Sequence, residues 1–76
     1  MNLEIITPEE TLYSGEVNSV KFPGASGGFE TLNNHAALIS SLEAGILYVK
    51  TDEGVIEFEI NGGIVEVLNN KIIVLA

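Results

Sequence analysis

Glycine, asparagine or proline interrupts this chain about every eight to twelve residues. Between the interruptions the apolar residues recur at two, not at three and four. The clearest run sets Ile56, Phe58 and Ile60 against Glu57, Glu59 and Asn61, which predicts a strand with one face in oil and the other in water. No segment holds a helical period over three turns, so the expected fold class is all-β.

The other segments read in the same way. Leu3-Glu4-Ile5-Ile6-Thr7 is an opening strand stopped by Pro8, which cannot donate to a ladder. Thr11-Leu12-Tyr13 is a second fragment, closed by Ser14-Gly15. Residues 16–22 follow as a strand with Val20 and Phe22 on one face. Val17 stands off the two-residue period, which predicts a bulge near Asn18-Ser19. After the glycine-rich loop 23–28 comes a short extended piece, residues 29–32, and then a break at Asn33-Asn34. Residues 36–41 form an apolar piece ending near Ala44-Gly45, and residues 46–50 a further strand, turned by Asp52-Glu53-Gly54. Asn61-Gly62 supplies the positive φ angles of a tight hairpin, and Asn69-Asn70 those of a second one before the last strand, residues 72–75.

With 76 residues there is room for one domain, 1–76, and a fold this small buries only about 60% of the surface its unfolded chain exposes. Apolar residues make up 46% of the chain, mostly Val, Ile and Leu, enough to drive a core. The lack of cysteine removes disulfides and thiolate metal sites and fits a reducing compartment. No stretch reaches the roughly 18 apolar residues of a membrane span, and residues 1–4 do not open a signal peptide. Three lysines stand against eleven acidic residues, for a net charge of −8. Such a balance argues against nucleic acid and anionic membrane surfaces, which are bound through Lys and Arg. It suits solubility, or a partner with exposed basic groups.

Candidate chemistry is sparse. His35 is the single histidine and Asp52 the single aspartate, so neither a histidine-rich metal cluster nor a serine triad is expected. The loop Gly24-Ala25-Ser26-Gly27-Gly28 lacks the lysine and the following helix of a phosphate-binding loop and reads as a connection. Glu57 and Glu59 share a strand face, as a catalytic carboxylate pair would, but their alternation with large apolar residues reads as a solvated face. From the residues alone the chain is a binding or assembly module without cofactor or substrate. A ligand carrier with a pocket between its sheets is the competing reading.

Four ordered motifs narrow this. They are Leu3-Glu4-Ile5-Ile6-Thr7-Pro8-Glu9, Leu12-Tyr13-Ser14-Gly15-Glu16-Val17, His35-Ala36-Ala37-Leu38 with Ala44-Gly45, and Asn61-Gly62-Gly63-Ile64-Val65-Glu66-Val67, followed by the closing Ile72-Ile73-Val74-Leu75-Ala76. In that order and spacing the sequence resembles the amino-terminal domain of the ATP synthase epsilon subunit, called delta in mitochondria. Asn33-Asn34 stands where that family has Pro-Gly, Ala37 where it has proline, and Gly27-Gly28-Phe29-Glu30 where it has Gly-Glu-x-Gly.

The resemblance implies a flattened ten-stranded antiparallel β-sandwich or barrel in the central stalk of an F-type ATP synthase. It implies a non-catalytic rotor subunit of a proton- or sodium-translocating enzyme, joining the gamma subunit to the c-ring and peripheral to the membrane on its cytoplasmic face. Expected to face the c-ring are Ser26, Gly27, Gly28, Phe29, Glu30, Asn33 and His35. Expected to face gamma are Tyr13, Ser14, Leu42, Gly62 and Gly63. The two carboxy-terminal helices that brake hydrolysis in the family are not in this sequence, so the chain is expected to couple the rotor without inhibiting by helix insertion. A small β-sandwich module of another assembly is the alternative.

Overall fold

The computed structural model describes residues 1–24 and 28–76. Among them are seven strands and no helix: β1 (Asn2–Ile6), β2 (Thr11–Glu16), β3 (Ser19–Phe22), β4 (Phe29–Leu32), β5 (Leu38–Thr51), β6 (Gly54–Leu68) and β7 (Lys71–Leu75). They form one sheet in the order β2-β1-β7-β6-β5-β3-β4.

The sheet becomes a sandwich because β5 and β6 are long enough to belong to both layers. β7 pairs with β6 over residues 64–68, whereas β3 pairs with β5 over residues 48–50, towards the other end of the hairpin. One layer is therefore β2, β1, β7 and the adjoining halves of β6 and β5. The second layer is β4, β3 and the remaining halves. Alternate residues of both layers meet in one core, in which Leu3, Ile5, Val20, Leu47, Val49, Val65, Ile72 and Val74 have no exposed surface. Burying one such side chain contributes about 1.5–3 kcal/mol, which is how a chain of this length closes a core without disulfides.

The all-β sandwich expected from the sequence is present, but its strand count is seven among the described residues instead of ten. Residues 38–51 and 54–68 run unbroken through both layers, which accounts for two of the three strands by which the count falls short. The sheet is also not wholly antiparallel, because β1 and β7 pair in parallel, Leu3 opposite Ile72 and Ile5 opposite Val74. Parallel neighbours need a long crossover, and here everything between the first and last strands supplies it.

Asn61-Gly62-Gly63, expected as a hairpin turn, lies inside β6. Its positive φ angles, 121° at Gly62 and 145° at Gly63, fall where the long strand passes from one layer to the other. The Asp52-Glu53 and Asn69-Asn70 turns are as expected, the latter with φ of 52° and 60°. The slip near Asn18-Ser19 is also there. Ser19 opposes Lys50, and the Asn18 N–H donates to the same Lys50 carbonyl at 2.7 Å. Two residues thus face one, which is the geometry of a bulge. At this point residues 16–22 divide into two strands, β2 on β1 and β3 on β5.

Candidate partner-binding surfaces

The expected ring-facing residues are strung along β4, an edge strand of the sheet. Gly28 precedes it, exposed. Phe29 opposes Phe22, and the two rings stack 5.1 Å apart at 26°, so Phe29 flanks the core while part of it stays exposed. Glu30 is exposed and stands opposite Lys21. Asn33 and His35 follow the far end of the strand. Asn33 Oδ1 accepts from the Met1 ammonium at 3.4 Å, and the His35 N–H donates to the Leu32 carbonyl at 3.2 Å. His35 Nδ1 lies 2.7 Å from the Ala36 carbonyl oxygen, an ordering contact within the loop. Ser26 and Gly27 fall outside the described residues. The set therefore does not gather at one point. Gly28 and Phe29 are separated from Asn33 and His35 by the length of β4, about 13 Å at 3.3 Å per residue. One partner can touch both ends only by lying along this edge.

The expected gamma-facing residues divide more sharply. Ser14 is exposed on β2, the other edge strand. Tyr13 turns inward and meets Phe58 of the second layer edge-to-face, at 5.7 Å and 64°. Leu42 is a buried core residue and pairs with Gly63 across the β5–β6 ladder. A β-carbon on Gly63 would collide with the Leu75 carbonyl oxygen, and one on Gly62 would lie 3.3 Å from the Leu42 carbonyl oxygen. Leu42, Gly62 and Gly63 thus have a sufficient structural role where β6 crosses between layers.

A surface not singled out in the sequence lies on the outer face of the first layer. Ile6, Leu75 and Ile64 form one cross-strand row, and Glu4, Ile73, Glu66 and Ile39 the next. Ile39 is 71% exposed, and Ile64 and Leu75 are about half exposed. The signal for it was the unalternating Ile72-Ile73-Val74-Leu75, a strand apolar on both faces, which a sheet with one solvated face does not require. Lys71 and Glu4 form an ion pair at 3.3 Å beside this band. Among the described residues no group of three or more His, Asp or Glu side chains gathers where a metal ion could sit.

Comparison with known proteins agrees with the fold. Residues 1–76 match the family described as the ATP synthase delta/epsilon chain β-sandwich domain. The chain is 39% identical over 75 residues to an ATP synthase epsilon chain of Leptospira borgpetersenii and 46% identical over 76 residues to one of Sulfurimonas denitrificans. It covers 99% of itself in both alignments, but only 59% and 58% of those relatives, so it spans a little over half of their length. A Chlorobaculum tepidum epsilon chain, 42% identical over 74 residues, is covered to 84% of its length. A chain of the Euglena gracilis mitochondrial ATP synthase structure titled OSCP/F1/c-ring shares the fold at a TM-score of 0.90 and 21% identity, over 97% of this chain and 48% of that one. Seven strands in this order, folded into two layers over one core, and a family match from the first residue to the last lead to one assignment: this chain belongs to the β-sandwich domain family of ATP synthase delta/epsilon chains.

Proposed function

We propose that this chain is a non-catalytic module of the central stalk of an F-type ATP synthase, joining the gamma subunit to the membrane c-ring. The observation that carries this reading is the family match over all 76 residues. It is supported by a surface built for contact, with two edge strands and an exposed apolar band, and by relatives named as epsilon chains. In this reading the domain holds no substrate. It couples ion flow to synthesis by fixing gamma to the ring, with catalysis in other subunits, and it sits peripherally on the cytoplasmic face of the membrane through the complex.

The β4 edge, with Gly28, Phe29, Glu30, Asn33 and His35, is proposed to run along the c-ring loops, together with Ser26 and Gly27, which precede it in the sequence. Tyr13, Ser14, Leu42, Gly62 and Gly63 are proposed to serve the gamma side. There Ser14 offers direct contact, Tyr13 flanks the core, and Leu42, Gly62 and Gly63 support the shape from within.

The test is calorimetry of this chain with a recombinant gamma subunit of a bacterial F-type ATP synthase. Saturable one-to-one binding is expected, and the net charge of −8 predicts that affinity for basic partner loops falls as salt is added. Absence of binding at high micromolar concentration would return the chain to an unassigned interaction module.

A further inference from the structure

The hairpin of β5 and β6 is paired on both flanks only in part. β7 covers β6 over residues 64–68, and among the described residues nothing pairs with the other flank of β6 from Gly54 to Ile60. The direction of the backbone groups there follows from the ladder. The Lys50 carbonyl accepts from Asn18 and so points towards β3. Polar groups alternate sides along a strand, so those of Tyr48 also point to β3, and those of their partners Val55 and Glu57 point away from β5. Glu59, two residues further, does the same. No backbone or side-chain hydrogen bond among the described residues engages these three outward pairs of N–H and C=O groups.

The side chains along this edge are sorted by face. Val55, Glu57 and Glu59 stand on the solvent face, Val55 being 59% exposed. Ile56 and Phe58 point inward at the flank of the core, yet Ile56 is still 39% exposed and Phe58 only partly covered by Tyr13. An edge of this length is ordinarily blunted by a proline, a bulge or an inward charge. Val55 to Glu59 contains no proline and no inward charge, and its ladder with β5 is unshifted. Its protection is Glu57 and Glu59 alone.

We infer that the free edge of β6, Val55 to Glu59, is a strand-addition site for an extended peptide segment that alternates basic and apolar residues. Main-chain hydrogen bonds to Val55, Glu57 and Glu59 supply affinity, as in other strand additions. Apolar side chains of the incoming strand cover Ile56 and Phe58, and basic ones meet Glu57 and Glu59. A second copy of this chain is disfavoured as the occupant. The antiparallel register that overlaps the whole edge sets Glu57 against Glu57, and each copy carries a net charge of −8. The site is independent of the rotor reading, and failure of gamma binding would leave it in place.

The probe is a short, end-capped peptide alternating lysine and valine, added to the full chain at low ionic strength and followed by amide hydrogen exchange. In the free chain the amides of Val55, Glu57 and Glu59 should exchange quickly, while those of Ile56 and Phe58, which point to β5, should be protected. The peptide should slow the first three by more than about tenfold. The same peptide N-methylated on the residues that face the edge should not. Glu57→Lys with Glu59→Lys, two exposed positions that leave the core intact, should abolish the response and transfer it to a glutamate-valine peptide. The inference is overturned by any of four results: no protection at millimolar peptide, binding indifferent to N-methylation, protection confined to β2 or β4, or the three amides already protected in a dimer of the chain alone.

Discussion

Thr31 is fully buried in β4, and its hydroxyl oxygen has no hydrogen-bond partner among the described residues. A buried hydroxyl without a partner carries its desolvation penalty uncompensated, so Thr31→Val, which keeps the shape, should stabilise the fold by about 1 kcal/mol. A rise in the urea midpoint at constant slope would show it. Gly63 is the opposite case. Its φ of 145° and the Leu75 carbonyl oxygen in the place of a β-carbon leave no room for any side chain. Gly63→Ala should cost about 3 kcal/mol by the same measurement. Gly54 shares a positive φ, 131°, but has nothing within 4 Å of an added β-carbon, so Gly54→Ala should cost only about 1 kcal/mol. The difference between these glycines is non-local, set by a strand twelve residues further along the chain in one case and by open solvent in the other.

At the scale of the element, the Asn69-Asn70 turn joins two roles. Both residues hold positive φ, and Asn70 Oδ1 also accepts the Asn34 N–H at 2.8 Å, tying this hairpin to the turn after β4. Asn69→Gly should therefore change stability little, whereas Asn70→Gly keeps the backbone but loses the bond and should cost about 1 kcal/mol in urea unfolding. That turn was legible in the sequence because its cause is local. Asn61-Gly62-Gly63 offers the same local signal, which in the sequence alone predicts a turn. Permissive backbone serves equally for a hairpin and for a strand changing layers, and only the pairing with Leu42 on one side and the contact with Leu75 on the other decides between them. Ala44-Gly45 predicts a break for the same reason, yet it lies within the continuous β5. The bulge at Asn18-Ser19, by contrast, could be read from one apolar residue out of phase. The expected partner-facing residues were legible as a set belonging to a family but not as a surface. Leu42 looks like any exposed leucine until the opposite layer covers it, and β4 had to be placed at an edge before Gly28 and His35 could be seen at its two ends.

For the molecule as a whole, eleven acidic side chains against three lysines leave a net charge of −8 on a body of 26 × 24 × 19 Å, and the excess carboxylates repel one another. Among the described residues two ion pairs, Lys71 with Glu4 and the amino terminus with Glu16, offset little of that. Added salt should therefore raise the urea midpoint between about 0.01 M and 0.15 M ionic strength, where the screening length shortens from about 30 to 8 Å. A midpoint that is flat or falls with salt would mean that the exposed carboxylates are held in favourable pairings instead. The parallel contact between β1 and β7 bears on how the molecule is made. β7 is the latest of the seven strands to leave the ribosome, yet it is an interior one, lying between β1 and β6. The β1–β2 hairpin, synthesised first, has no sheet to join until it emerges, because its link to the rest of the first layer is β7 alone. The second layer can assemble from residues already released. The first layer must close in a single step once β7 has emerged, and until then Leu3, Ile5, Val65 and Val67 have no complete layer to bury them.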